Sequence, residues 1–200
     1  MIITDSGVHI WRAAGPGRPW QPGRAAHLEI PIGYEELSAM MAQAGVDRAI
    51  LVPPSWEGER IDYSLEAAAR YPERFAFMGR IPVEKRVRDM REEPLAPAIE
   101  ATITLAKHPN VFVKLTQIPE CSSPPYPYKT TQPYVRRVIE AFGPRRSFWG
   151  TDLSAMLSRT ACTYRQAVTL FTEEMKFLSA DDIEWIMGRG IAECLPWPVQ

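Results

Sequence analysis

The chain lacks the features that mark secreted, membrane-spanning and nucleic-acid-binding proteins. Its three cysteines, Cys121, Cys162 and Cys194, lie far apart and form no CxxC pair, which is typical of reduced thiols in a cytoplasmic protein. No apolar run approaches the ~18 residues that span a bilayer. We also expect no leader peptide, because the N-terminus lacks a basic segment followed by an apolar one. The 23 basic and 24 acidic residues leave a net charge of -1, which argues against a polyanionic partner such as DNA.

The chain is long enough to bury one sizeable core, and we expect a single domain over residues 1–200. Its 19 prolines lie between periodic segments, so we predict no linker and no disordered tail. Residues 12–32 have no period and are rich in Gly, Pro, Arg and Trp. A loop of ~20 residues inside a compact domain is more often functional than not.

Short apolar runs alternate with amphipathic segments, which predicts parallel strands with helices packed over them. In the first part of the chain we predict, in the order strand, helix, strand, helix, strand, elements at 1–10, 34–44, 47–53, 62–70 and 75–81. In the second part we predict strands at 111–116 and 147–152, and helices at 97–107, 133–143, 163 to about 178 with a capping box, and Ser179 to Gly188 or Gly190. The charged residues 83–93 between the two parts are either a solvated helix or a loop.

Two polar residues, His9 and Asp152, lie at the ends of the first and last predicted strands. In a parallel α/β barrel the active site is built at the C-terminal ends of the strands. The first and last strands of a closed barrel are neighbours, so we expect these two side chains to meet at the mouth. Strand alternation places Asp5, Gly7 and His9 on one face. On spacing alone, the His–Asp pair is either a functional site or a structural hydrogen-bonded pair.

Longer motifs cover nearly all of the chain in one order. They are ITDSGVHIW at 3–11, GVDRAILVPPS at 45–55, YPERFAFMGRIP at 71–82, HPNVFVKL at 108–115, PYVRRVIEAFGPRR at 133–146, WGTD at 149–152, TYRQAVTLF at 163–171 and LSADDIEWIMGRG at 178–190. In this order they resemble the amidohydrolase-related (amidohydrolase 2) family, whose first strand opens with D-x-H-x-H. The resemblance implies a TIM-type (β/α)8 barrel that uses a divalent metal, often zinc, for hydrolysis and in some branches for decarboxylation.

The family's metal ligands are two histidines of strand one, histidines at the ends of strands five and six, and an aspartate at strand eight that also handles the proton. The resemblance gives counterparts to two of these, with His9 as a metal ligand and Asp152 as metal ligand and general base, while Gly7 stands where the first histidine belongs. The sequence passes from the strand-three motif to the strand-seven motif in about thirty residues, which implies an internal deletion of the central strands. The cofactor is therefore zinc or manganese at this reduced site, or no metal at all because ligands are missing.

A TIM barrel typically needs eight strands and ~250 residues. Five strands cannot close into a barrel in the same way. We therefore expect an incomplete TIM-barrel-like α/β fold, in which a parallel sheet of about five strands carries helices on its outside. The third strand and the strand-seven equivalent are its expected edges. Unpaired edges invite association, so we expect them to pair with each other or with another copy in a homo-oligomer.

Three further residues are candidates for substrate binding. Lys114, in mid-strand on a buried face, either binds a substrate carboxylate or neutralises an interior acid. Arg80 either contacts an anionic substrate or is an exposed rim residue, and His27 would have to bend over the mouth from the first loop. A set of aromatic residues near strand ends either lines a pocket or plugs the barrel mouth: Trp11, Trp20, Trp56, Tyr126 and Tyr128.

Two functions are consistent with these features. In the first, the protein is a metal-dependent enzyme that acts on a small cyclic ester, an amide or a carboxylated aromatic, with any further metal ligand coming from His27, a water or a second subunit. In the second, it is an internally deleted remnant that serves as a binding or interaction module. The family resemblance favours the first hypothesis. On the question of whether the protein turns over a substrate at all, the missing metal ligands favour the second.

Overall fold

Short strands and helices alternate along the computed structural model of the protein, in the order that the sequence predicts. The structure describes residues 1–58, 60–78, 95–122, 125–195 and 197. Two predictions, the rim role of Arg80 and the helix or loop at 83–93, lie outside the described residues.

Within the described ranges, five parallel strands form two hydrogen-bonded sheets. They are Thr4–Val8 (β1), Arg48–Leu51 (β2), Phe75–Phe77 (β3), Val113–Leu115 (β4) and Ser147–Trp149 (β5). β1, β2 and β3 pair in that order, and β4 pairs with β5. The backbone amide of Asp152 donates to the carbonyl oxygen of Gly7 at 3.0 Å, so the end of β5 lies beside β1. The strands therefore follow one another in space as β3, β2, β1, β5, β4.

Eight α-helices connect or follow the strands among the described residues. They are Tyr34–Ala44 (α1), Asp62–Arg70 (α2), Leu95–Ile103 (α3), Gln132–Phe142 (α4), Leu153–Arg159 (α5), Tyr164–Thr169 (α6), Ala180–Glu184 (α7) and Gly190–Cys194 (α8). A π-helical turn at Leu170–Glu174 continues α6, and another at Trp185–Arg189 joins α7 to α8. In the described parts of the chain, no helix is both long and apolar enough to cross a bilayer.

Local signals place several helix ends correctly. The predicted bounds of α1 are confirmed, and Gly45 ends this helix with a φ of 77°, a left-handed conformation that glycine adopts without strain. The capping box of Thr163 and Gln166 also forms as predicted.

The predicted stop at Gly188 or Gly190 is wrong, because the chain stays helical to Cys194. Gly188 lies against the carbonyl of Ile2, where a Cβ atom would collide with the backbone. This glycine therefore permits a close approach between the last helical segment and β1, and it does not end a helix.

Buried side chains of the described residues form two clusters, one on each face of the strands. Ala49 and Leu51 of β2 belong to the main cluster of buried side chains, which they share with Leu37 and Met41 of α1. Ile50, between them, points to the other face and packs with Phe148 and Ile191 in a second cluster. Helices thus cover the outer face of the sheet, as predicted.

The outer edges of the sheet have no strand partner among the described residues. There β3 pairs with β2 alone, and β4 pairs with β5 alone. The expected pairing of these two edges with each other is therefore not seen in the described part of the chain, and the barrel is open there.

Candidate active site

The carboxyl ends of three strands meet at one rim of the sheet. The backbone amide of Val52, just after β2, donates to the carbonyl oxygen of Val8 at 2.8 Å, and the amide of Asp152 donates to that of Gly7. The residues that follow β1, β2 and β5 are therefore held together by backbone hydrogen bonds. This is the rim on which a parallel α/β barrel carries its active site.

His9 follows β1 and is oriented by the backbone. Its Nδ1 lies 2.7 Å from the carbonyl oxygen of Val52. Because a carbonyl oxygen can only accept, Nδ1 carries the proton, and Nε2 of the neutral ring presents its lone pair. Nε2 lies 3.4 Å from Oδ1 of Asp152, and the two side chains are 20% and 19% exposed. The structure thus brings together the two residues that the sequence placed at neighbouring strand ends.

Asp152 occupies an unusual backbone position at the start of α5. Its φ of 51° is left-handed, a conformation that aspartate tolerates better than most residues. Its Oδ2 accepts a hydrogen bond from Nε2 of Gln117 at 2.6 Å, whereas the buried Oδ1 has no hydrogen-bond partner among the described residues. The oxygen that faces His9 is therefore the one left for another ligand.

A cleft of about 280 Å³ opens at this pair and is lined by His9, Asp152, His27, Trp56 and Gln117, among others. The ring of Trp56 packs edge-on against both imidazoles, with centroid distances of 5.8 Å to His9 and 4.8 Å to His27. Nδ1 of His27 lies 2.9 Å from the hydroxyl of Ser154, in the first turn of α5. The first loop thus carries His27 over the mouth, which the sequence raised only as an option.

Ionic contacts hold that loop against the neighbouring segment. The guanidinium of Arg18 donates to both carboxylate oxygens of Glu57 at 2.6 and 3.2 Å, and to both oxygens of Asp62 at 2.7 and 2.9 Å. The carboxylate of Glu57 is 2% exposed, so it depends on this partner. The hydrogen bond from Arg18 also lowers the pKa of Asp62.

Lys114 of β4 lies on the inner face of the sheet but does not line the cleft. Its Nζ donates to the carbonyl oxygen of Ser6 at 3.1 Å, and a Cβ atom added to Gly7 would lie 2.8 Å from Nζ. The amine thus occupies space that a histidine at position 7 would need. Although much of the side chain is exposed, burial around the amine lowers its pKa, and the charges of Asp5 and Asp152 oppose that effect.

The carboxylate of Asp5 lies outside the cleft lining and has hydrogen-bond partners of its own. It accepts hydrogen bonds from the amide and hydroxyl of Thr151 at 3.0 and 2.5 Å, from the hydroxyl of Tyr164 at 2.8 Å and from the amide of Gly7 at 3.2 Å. Burial nevertheless raises its pKa above the ordinary 3.8. This carboxylate joins β1 to β5 and α6, and we assign it a structural role.

The His9–Asp152 pair fits two corners of a tetrahedral metal ion. With metal–ligand bonds of about 2.0–2.1 Å, two ligand atoms separated by 3.4 Å subtend roughly 110° at the metal. A catalytic zinc site uses three protein ligands, and within the described ranges no group of three His, Cys, Asp or Glu side chains is arranged to hold a metal. The described residues therefore provide two corners of a site and not the complete set.

The residues that the sequence did not single out include Gln117, which lines the cleft, and Ser154, which contacts His27 from outside the cleft lining. Gln117 lies two residues after β4, so its position at a strand end was an available signal. Ser154 gave no signal of its own, because its partner His27 is 127 residues away in the chain. Of the five aromatic residues considered, Trp56 lines the cleft, while Trp11 is buried behind it.

Parallel strands with outer helices, and a His–Asp pair at their carboxyl ends, are the features of an incomplete TIM-barrel scaffold. The chain belongs to the amidohydrolase family, whose model (amidohydrolase 2) matches residues 93–196.

Individual relatives agree with this assignment. An L-fucono-1,5-lactonase of Burkholderia ambifaria is 22% identical over an alignment 228 residues long. This alignment covers 74% of this chain and 79% of the lactonase. An amidohydrolase of Burkholderia multivorans with bound zinc superposes with a TM-score of 0.71 and 16% identity over 99% of this chain and 100% of the other. A protein of Pseudomonas putida, assigned as a 2-pyrone-4,6-dicarboxylic acid hydrolase, has a TM-score of 0.77 and 14% identity over 100% and 99% of the two chains.

The comparisons also bear on the deletion. The alignment with the lactonase extends over 228 residues, which is more than the 200 of this chain, so the lactonase has residues for which this chain has no counterpart. A truncated barrel, as the motif spacing implied, agrees with this observation.

Proposed function

We propose that this protein is a slow hydrolase of a small cyclic ester, and that His9 and Asp152 hold a divalent cation while Asp152 acts as general base. The observation that carries the proposal is the approach of Nε2 of His9 to the unpartnered Oδ1 of Asp152, at 3.4 Å, beside a cleft at the strand ends. A bound zinc or manganese ion lowers the pKa of its water ligand towards ~7.

Other groups of the protein orient the two proposed ligands and shield them from water. The carbonyl of Val52 keeps the proton of His9 on Nδ1, so that Nε2 stays a ligand. Gln117 donates to Oδ2 of Asp152 and fixes the carboxylate, which leaves the buried Oδ1 turned towards Nε2 of His9. Trp56 forms an apolar wall that excludes water from one side of the imidazole.

The relatives support an ester ring as substrate class. The B. ambifaria protein is a lactonase, and the P. putida protein is assigned to a pyrone dicarboxylic acid, which is a lactone that carries carboxylates. In this chain, Lys114 lies on the inner face outside the cleft lining, so its positive charge would attract a carboxylated ring through its electrostatic field and not by direct contact. Hydrolysis is expected to be slow, because two protein ligands hold a catalytic zinc less well than three.

One observation favours a second candidate, a binding module without turnover. Within the described residues no three-ligand group exists, and a carboxylate base without a metal cannot bring water near pKa ~7. Such a protein would keep the cleft and bind the ring acid without hydrolysing it.

Metal content and lactone hydrolysis test the proposal together. Purified protein equilibrated with zinc or manganese should retain one ion per chain, and His9→Ala or Asp152→Ala should lose it, while the exposed His108→Ala serves as the matched control. Hydrolysis of a carboxylated δ-lactone, followed by proton release, should need the ion and fall about 100-fold in either site variant. Lys114→Met should slow the hydrolysis of this carboxylated lactone and leave the hydrolysis of an uncharged lactone unchanged.

Retention of no ion, together with no hydrolysis at added metal, would overturn the enzyme proposal. In that case, binding of the ring acid measured by calorimetry would support the binding module.

A further inference from the structure

One arginine, Arg159, is part of the cleft lining. It is the last residue of α5 and lines the cleft together with Asp152, Gln117 and Trp56. Lys114 lies outside that lining, and no other lysine or arginine of the described residues belongs to it. A carboxylated ring that enters the cleft therefore meets a single guanidinium directly.

The protein itself uses only part of the guanidinium of Arg159. Its Nη1 donates to Oε2 of Glu120 at 2.9 Å, whereas Nε and Nη2 make no hydrogen bond to any of the described residues. Glu120 belongs to the helical turn Ile118–Cys121, which follows β4, and its side chain is largely buried. The ion pair thus holds Arg159 in place and leaves two of its three nitrogens for a ligand.

Arg18 shows that one guanidinium of this chain can bind two carboxylates. Its nitrogens donate to both oxygens of Glu57 and to both oxygens of Asp62. Arg159 has one such partner in Glu120. Its remaining two nitrogens match the paired oxygens of a second carboxylate, because the planar fork of arginine fits that geometry.

We infer that Arg159 binds the carboxylate of the substrate, and that the cleft thereby selects ring esters that carry an anionic group. This inference rests on the proposed function and names the residue that sets its substrate class. α5 begins after Asp152 and ends at Arg159, and a helical rise of about 1.5 Å per residue separates the two backbone positions by about 10 Å. A long helical side chain leans towards the N-terminus of its helix, which shortens this separation, so a small ring can contact both side chains.

Ligand binding measured without a metal ion tests this inference. Calorimetry in the presence of EDTA gives the affinities of coumalate, a 2-pyrone with one carboxylate, and of its uncharged methyl ester. The native chain should prefer coumalate to the ester. Arg159→Gln should weaken coumalate by about 10- to 100-fold, as expected for the loss of hydrogen bonds to a charged group, and should leave the affinity of the ester unchanged.

Two further variants make the result specific to this guanidinium. Arg159→Lys keeps the charge and a donor for Glu120 but loses the planar fork, so it should give an intermediate loss. Arg136→Gln is the matched control, because Arg136 is an exposed arginine that pairs with the single glutamate Glu140 and lies outside the cleft lining. It should leave both affinities unchanged, and a circular dichroism spectrum matching the native one confirms that each variant is folded.

The outcomes separate the inference from the proposal on which it rests. If Arg159→Gln weakens coumalate no more than the ester, or if the native chain does not prefer coumalate, then Arg159 is only a structural partner of Glu120 and the inference is wrong. Zinc-dependent lactone hydrolysis that is lost in His9→Ala would leave the proposed function standing in that case. If the preference for coumalate depends on Arg159 but the native chain with zinc hydrolyses no lactone, the inference holds and the hydrolase proposal is wrong.

Discussion

Asp5 is a single residue that ties three elements together, through four hydrogen bonds to Thr151, Tyr164 and Gly7. Removing a buried acceptor leaves its donors unsatisfied. We expect Asp5→Ala to lower the free energy of unfolding by about 2–4 kcal/mol, as measured by urea denaturation. Asp5→Asn, which keeps an oxygen for the two amides, should cost clearly less, and equal losses in both variants would contradict the role assigned to these hydrogen bonds.

The same carboxyl group makes stability depend on pH. Burial raises its pKa in the folded state above 3.8, so the folded protein holds this proton more tightly than the unfolded chain does. The part of the contribution of Asp5 to stability that comes from this raised pKa is therefore complete below pH 3.8 and is lost as pH rises through its folded pKa. The difference in unfolding free energy between the native chain and Asp5→Asn should fall over that window and then level off. A difference that grows with pH would show that the folded pKa is lowered.

Gly7 and Lys114 form a pair in which the amine fills the space beside the glycine. A Cβ atom at position 7 would lie 2.8 Å from Nζ, so a histidine side chain there would meet the lysine amine, whose positive charge also opposes a nearby divalent cation. We therefore expect Gly7→His alone to improve zinc affinity little, and Gly7→His combined with Lys114→Ala to improve it at least tenfold over the single variant. Lys114→Ala alone is the control. A full gain from Gly7→His alone would show that the lysine moves aside without cost.

At the scale of elements, the first loop depends on the ion pair between Arg18 and Glu57, whose side chains are 14% and 2% exposed. Arg18→Met leaves a buried carboxylate without its partner, which typically costs about 3–5 kcal/mol. We expect that loss in urea denaturation, together with faster proteolysis within residues 12–32. The double variant Arg18→Met with Glu57→Gln should recover most of the stability, because the buried charge is gone. If it recovers none, the cost arises from lost packing of Arg18 and not from the unpaired charge.

The short helices around the site show why single elements do not account for it. α5 follows the left-handed Asp152 and carries Ser154 towards His27. The chain continues from α7 to α8 through a π-helical turn that contains Gly188, packed on the backbone of Ile2. Both features exist because distant segments come into contact, so neither has a strong local pattern.

At the scale of the whole molecule, the shortened barrel exposes strand edges. Among the described residues, β3 has no partner on its outer side, and such edges promote association. We expect sedimentation velocity to show a concentration-dependent dimer, and Ala76→Lys in the middle of β3 to shift it to monomer. Gln43→Lys, on the exposed side of α1, adds the same charge away from the edge and should leave the dimer intact. A native chain that is monomeric at all concentrations would contradict the edge-pairing model.

The sequence by itself determined the features that depend on neighbours in the chain. The bounds of α1 and the capping box at Thr163 follow from side-chain periodicity and end residues, which act within a few positions. The order of alternating strands and helices led to the parallel sheet. The motif order led to the amidohydrolase family, and strand-end placement singled out His9 and Asp152.

Only the tertiary structure decided which loop covers the mouth and what the site contains. His27 meets α5 across 127 residues, and Arg18 meets Glu57 across 39. No local pattern encodes such contacts, because a long aperiodic loop takes its path from the surfaces it is tied to. The same reason explains Lys114 beside Gly7: the two lie on different strands, and their contact exists only once β4, β5 and β1 are assembled.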